Sequence, residues 1–359
     1  MSPNTIVNGI NQLIQTRLLP TVSRKWQPQF EFGIRAYSLR AFHSATSNAR
    51  QVVPNANTAA RKSERLLANI RLVDQLGITF DSLGLIKPSS YINCDHSDMN
   101  GLTAFVGAVQ TRKGRALPCL VEATYSDRLP GTATAFKRKQ ALRKARAKER
   151  KSLSFTDHYI NALSDLYDRL GFWPRLVFDR GFGNRSLITH LKEAGAVFYI
   201  RLKAGRYVEL VNSDTGEVTR LTVQQLTNND AEIELFGMTL RVVRSPRNRC
   251  SKEPWHILTN DQASSRDKII RIYYHRFEIE ETFRDIKHIF ELRRTRLNKP
   301  SSLRAILWLV TLGIALFYIV TKPTKQTILR LPKKKQTSWL RQSYEQLQCV
   351  TSLVLWGGR

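Results

Sequence analysis

RLVFDRGFGNRSLITHLKEAGAVFYIRL, residues 175–202, decides the fold. Arg175–Phe178 is a short apolar run of strand character that delivers Asp179 into a glycine-bearing loop. Ser186–Ala194 then carries helical patterning, and Val197–Leu202 reads as a strand again. Strand, acid, glycine loop, helix, strand is an α/β crossover, with the acid at the strand's carboxyl end, where such sheets bind ligands. Gly181 and Gly183 let the backbone approach a ligand, but two glycines alone carry little weight. A lone Asp at a strand end is more often a cap or turn residue, so Asp179 needs partners elsewhere in the chain.

Upstream, SSYINCDHSDMNG (89–101) holds a short apolar strand, Tyr91–Cys94, ending in Asp95. TAFVGAVQ (103–110) is a second strand, the basic turn TRKGRA follows, and LPCLVEA (117–123) is a third. Tight turns between the three predict an antiparallel meander. Asp98 rivals Asp95 as the functional acid; Asp95 is preferred because it directly ends the apolar run, which leaves Asp98 a turn role. Thr156–Leu170 reads as an amphipathic helix with Tyr159, Leu163, Leu166 and Leu170 on its apolar side.

Downstream, Asp267–Glu291 (DKIIRIYYHRFEIEETFRDIKHIFE) reads as one long helix. Tyr273, Arg276, Glu280, Arg284 and Lys287 recur at three- and four-residue steps. At about 100° per residue they fall within an arc of roughly 60°. A mixed Glu/Arg/Lys face is usually i,i+4 pairing on a wet helix. Here one carboxylate lies among cations and a phenol, the pattern expected if Glu280 holds a metal ion while its neighbours hold phosphates.

The chain has 359 residues, enough for a sizeable core and more than one domain. Fifty-seven Lys and Arg against 29 Asp and Glu leave a net charge of +28. Nucleic acid is the default partner for so basic a chain, although a membrane surface or ribosomal RNA fits the sum equally. The four cysteines (Cys94, Cys119, Cys250, Cys349) show no zinc spacing and read as buried thiols in a reducing cytosol. The N-terminus lacks the apolar core of a secretory signal. Ala305–Val320, uncharged throughout, is shorter than the roughly 20 residues of a bilayer span and reads as a buried helix.

Residues 1–88 look helical and basic, around Ile6–Leu18 and Ala59–Leu76, with a loop near Gln51–Thr58. They carry no convincing helix-turn-helix, so a helical cap on the next domain competes with a DNA-binding module. Residues 137–151 hold nine cations and one acid, suited to tracking phosphates without reading bases. Residues 203–254 alternate short strands with polar turns, and Trp255–Thr259 looks like a strand returning to the main sheet. A basic tail follows Thr321.

Tyr273, Arg276, Glu280 and Lys287 reproduce the spacing of a signature helix in bacterial insertion-sequence transposases of the DDE, RNase H-like superfamily. Arg284 also satisfies the Arg that a sister group places four residues after the Glu. The chain resembles this superfamily over roughly Ser90–Lys287, most specifically at FDRGF and YYHRFEIEETFRDIK. The resemblance implies an α/β, RNase H-like core: a mixed sheet with a three-strand antiparallel meander and flanking helices. Its implied layout is an N-terminal helical region (1–88), a core in two parts (89–202 and 255–320), a β-rich insertion (203–254) and a basic tail (321–359).

By the same resemblance, Asp95, Asp179 and Glu280 would coordinate two Mg²⁺ or Mn²⁺ ions. Tyr273, Arg276, Arg284 and Lys287 would contact DNA, as would Arg201 and Lys203 after the second Asp strand. Trp255 would stack on a flipped base, unless it is a core aromatic. The implied protein is a cut-and-paste DNA transposase of the bacterial cytoplasm, nucleoid-associated and with no membrane partner. It would act as a homodimer on terminal inverted repeats and target DNA. Two other readings remain open: a nuclease of the same fold that does not join, and a catalytically dead DNA-binding descendant.

Overall fold

Residues 3–38, 44–99, 101–126, 144–145, 147–148, 153–211, 217–246, 253–292 and 297–321 are described by a computed structural model. Strands β1 (Tyr91–Met99), β2 (Leu102–Val109) and β3 (Leu117–Tyr125) form the expected antiparallel meander. β1 runs past Asp95 to Met99, so the acid does not end its strand. Pairing with β2 continues through Met99 opposite Leu102 and keeps the chain extended beyond the apolar run.

β4 (Arg175–Phe178) pairs parallel to β1, and β5 (Phe198–Arg201) pairs parallel to β4. The crossover between β4 and β5 carries helix α7 (Arg185–Glu193), whose start is set by the Asn184 side chain accepting from the Leu187 N–H at 3.0 Å. Helix α6 (Phe155–Leu170) precedes β4. A reciprocal Ser154–Asp157 capping box opens it, and Gly171, at φ +72°, closes it in the left-handed conformation that costs glycine nothing.

The insertion supplies β6 (Tyr207–Val211), β7 (Val218–Thr222), β8 (Asp230–Leu235) and β9 (Met238–Arg244), and β10 (His256–Thr259) joins β9 to β5. All ten described strands form one mixed sheet in the order β3-β2-β1-β4-β5-β10-β9-β8-β6-β7. With helices flanking it, this is an RNase H-like core whose sheet the insertion prolongs.

Helices α1 (Pro3–Leu13), α2 (Gln27–Gly33), α3 (Ala45–Arg50), α4 (Ala56–Ala68) and α5 (Ile70–Asp81) form the N-terminal region. Their apolar residues, among them Ile6, Leu66 and Phe80, belong to the same buried cluster as the meander. Helix α10 (Pro300–Thr321) packs against β3 and these helices, and Gly33 lies where any side chain would press on Leu66 and Leu309. The uncharged run therefore extends into a 22-residue core helix. Its length and composition would suit a membrane, but 78% of its most apolar window is already buried in protein. Most of the basic block 137–151, the tail after Thr321, Cys250 and Cys349 lie outside the described residues; Cys94 and Cys119 are buried free thiols.

The stretch read as one helix, Asp267–Glu291, is two: α8 (Arg266–Tyr274) and α9 (Phe277–His288). No Pro or Gly marks the join. His275 and Arg276 keep right-handed dihedrals, while the bonding tightens to i→i−3, with the Arg276 N–H donating to the Tyr273 carbonyl at 3.0 Å. Long-range partners take up the freed carbonyls: Asn93 Nδ2 donates to His275 O at 2.9 Å and Gln110 Nε2 to Ile272 O at 3.1 Å.

Candidate active site

The last matched pair of the parallel β1–β4 ladder is Cys94 opposite Phe178. The next residue after each of these is an acid, Asp95 within β1 and Asp179 just past the end of β4, so the ladder sets two carboxylates side by side. Glu280 enters from the first turn of α9. Asp98 is an odd number of residues from Asp95 and so faces the other side of the strand. It accepts from Thr103 Oγ1 at 2.6 Å and Ser126 Oγ at 2.8 Å, and it lies within β1 opposite Thr103 rather than in the turn expected for it.

The three acids converge on one guanidinium. Arg276 Nη2 lies 2.6 Å from Glu280 Oε1 and 4.0 Å from Asp179 Oδ1, while Nη1 lies 3.6 Å from Asp95 Oδ2. Side-chain exposure falls from 46% for Glu280 to 32% for Asp179, 16% for Asp95 and 3% for Arg276, so the cation sits beneath the acids rather than among solvent. The Tyr273 hydroxyl donates to Asp179 Oδ1 at 3.3 Å, and the His96 N–H donates to Asp95 Oδ1 at 2.8 Å.

Burial raises the Asp95 pKa, and neighbouring Asp179 adds to the shift. Arg276 and the His96 N–H oppose it without cancelling it. Burial would depress the Arg276 guanidinium, but Tyr273, Asp179 and Glu280 more than offset that and hold its pKa above the ordinary value. Burial likewise pushes the Tyr273 phenol upward, with Asp179 adding to it, so the ring carries a neutral O–H donor.

The structure places Tyr273 and Arg276, the expected DNA contacts, in the interior. Tyr273 is fully buried and Arg276 is 2% exposed, and both contact the carboxylates. Trp255 is also a core residue here, 2% exposed and packed on Tyr273 and Phe277 at ring centroid distances of 5.3 and 5.6 Å. Arg284 is exposed and paired with Glu281 at 2.6 Å, apart from the acids. Lys287 lines a neighbouring polar cavity of about 560 Å³ together with His96, Asp98, Gly181 and Asn184. Arg201 ends β5 close enough for its charge to act on Tyr273, whereas Lys203 is exposed at a separate cavity in the insertion with Arg206 and Arg220.

Sequence reasoning missed the residues that brace this arrangement. Glu278, 6% exposed, accepts N–H bonds from Thr111 at 2.9 Å, Arg112 at 3.2 Å and Gly114 at 3.4 Å, and faces His275 Nδ1 at 3.2 Å. Thr282 Oγ1 and Ala116 exchange two bonds, and Arg115 pairs with Asp285 at 2.6 Å. The β2–β3 turn is thereby clamped to α9. A carboxylate on the apolar side of the helix, among Ile279 and Thr282, was the available signal. Arg206 Nη2 similarly donates to the Gly183 carbonyl at 2.9 Å and ties the glycine loop to the insertion.

Three carboxylates from three elements make an all-oxygen donor set, suited in kind to a hard divalent cation. Among the described residues no three acids, histidines or cysteines are drawn close enough to hold an ion as they stand. The Arg276 guanidinium lies within 4.0 Å of all three.

Residues 156–316 match the family model of the transposase DDE domain. The match contains Asp179, Arg276 and Glu280 and begins after Asp95. No curated protein matches the chain.

Proposed function

From the match of residues 156–316 to the transposase DDE domain, we propose that the chain is an insertion-sequence transposase that cuts DNA at the ends of its element and joins the freed 3′-OH to target DNA. Members of this family act on DNA and generally use divalent metal ions. The observation that carries the reading is the convergence of Asp95, Asp179 and Glu280 on one cation, two of them set side by side by the β1–β4 register.

In this reading Asp95, Asp179 and Glu280 hold two Mg²⁺ or Mn²⁺ ions. Bound there, such ions supply Lewis-acid activation of the attacking oxygen and stabilisation of the leaving one. The chain's own residues set the geometry. Tyr273 orients Asp179 through its hydroxyl, the His96 N–H fixes one oxygen of Asp95, and Glu278 holds the α8–α9 join against the β2–β3 turn. Water is the first nucleophile and the freed 3′-OH the second.

Lys287, Arg201, Lys203 and Arg284 remain as cations for the DNA backbone, consistent with the net charge of +28. Terminal repeats and target duplex are the partners, and two copies of the chain bring two ends together. The same reading divides the chain into a helical region (1–88), a core in two parts (89–202 and 255–320), an insertion (203–254) and a basic tail (321–359). Incubating the protein with a pre-cleaved 3′-OH end, a target duplex and Mg²⁺ tests it. Joined product is expected; cleavage of intact ends with no joining identifies a nuclease of the same fold instead.

A further inference from the structure

Arg276 is an unusual neighbour for a metal site. Its side chain is 3% exposed and lies within 4.0 Å of all three acids, with its shortest contact to Glu280, at 2.6 Å. Among the described residues, Nε and Nη1 are buried without a hydrogen-bond partner. Buried N–H groups left in that state cost free energy, so this cation is electrostatically suited to its place but poorly bonded in it. The rings of Phe277 and Tyr273 flank it at 4.5 and 5.6 Å from the guanidinium carbon.

We propose that Arg276 is the resident counter-ion of the three carboxylates and that a divalent cation loads only by displacing it. The inference rests on the metal reading above and specifies how the same site is controlled. The chemistry is competition. Without a cation, three acids on adjacent elements would repel one another; the single charge of Arg276 suppresses that repulsion and holds the acids in register. A divalent ion neutralises them better, but the Glu280 oxygen it needs is held by the guanidinium at 2.6 Å. Displacement therefore costs the Arg276–Glu280 bond and is repaid by the ion. Arg276 accordingly acts as a positioning residue that sets metal affinity, and the acids stay paired while the site is idle.

Mn²⁺ binding to the full chain, followed by the electron paramagnetic resonance of free Mn²⁺, tests the proposal. Arg276→Gln removes the charge and keeps a side chain of similar reach; it is expected to bind Mn²⁺ at least about tenfold tighter than the unaltered protein. This follows because a unit charge some 4–6 Å away remains worth that much at an effective dielectric of about 20. Arg276→Lys keeps the charge and is expected within about threefold of the unaltered protein. Equal or weaker binding by Arg276→Gln, with an unfolding midpoint matching the unaltered protein, overturns the proposal.

A structure of the unaltered chain grown with Mg²⁺ gives a second reading that needs no variant. The guanidinium is expected to have left the three acids, and an ion bound with Arg276 still between them overturns the idea. Failure of the underlying metal reading looks different. In that case Asp179→Asn binds Mn²⁺ as tightly as the unaltered protein, whatever residue 276 is.

Discussion

Asp95 and Asp179 each follow the last matched pair, Cys94 and Phe178, of the parallel ladder between β1 and β4. Their proximity is thus a consequence of strand register. Slipping the ladder by one residue would turn one acid to the opposite face. Helix α9 brings the third acid over this pair, and the clamp at Glu278 decides where α9 begins.

Glu278→Ala should destabilise the protein by about 3 kcal/mol. It leaves the N–H groups of Thr111, Arg112 and Gly114 without their shared acceptor beneath the helix. Urea unfolding measures this; a change below about 0.5 kcal/mol would show that the clamp does not hold the turn.

Much of this architecture is legible in the residues themselves. The crossover from Arg175 to Leu202, the meander and the strands of the insertion announce themselves by alternation and turn chemistry. The join at His275–Arg276 does not, because nothing local breaks that helix. Its carbonyls are captured by Asn93 and Gln110, far away in the chain. The burial of Tyr273 and Arg276 was likewise hidden: a helical wheel drawn through an unbroken helix groups both with Lys287 on one flank and does not say which of them is covered. Asp95 was legible as an acid after an apolar run, while the continuation of β1 beyond it depends on β2.

The buried Asp81–Arg169 pair should make stability depend on pH. Burial raises the Asp81 pKa to about 6 despite Arg169, and among the described residues its Oδ1 has no hydrogen-bond partner. The folded state therefore holds the Asp81 proton more tightly than the unfolded chain does. That contribution is fully present below about pH 4 and is lost as pH rises through about 6. Relative to Asp81→Asn, the unaltered protein should lose about 3 kcal/mol between those limits, as a two-unit shift implies. Denaturation at pH 4 and pH 7 measures it, and parallel profiles for the two proteins would contradict it.

Lys287→Ala should weaken binding of duplex DNA and reduce the slope of log K against log salt by about one unit. Arg276→Ala, in the absence of divalent ions, should change that slope far less, because its charge is buried and already neutralised by acids. Fluorescence anisotropy across a salt series compares them; equal slope changes would place Arg276 at the DNA surface after all.

Gly313→Ala should cost about 2 kcal/mol or more, since a methyl group there would collide with the Ser38 backbone carbonyl. A backbone atom cannot rotate aside as a side chain can. A thermal midpoint unchanged by this substitution would mean that α10 and the segment ending at Ser38 are not in contact.

Cleavage of end DNA by Asp95→Asn, Asp179→Asn and Glu280→Gln, each assayed with Mg²⁺ beside the unaltered protein, bears most directly on the site. Each substitution removes one carboxylate charge and keeps the shape, so all three should abolish cleavage while leaving DNA binding in place. Cleavage at the unaltered rate by any one of them would remove that residue from the catalytic set and contradict a site built from all three.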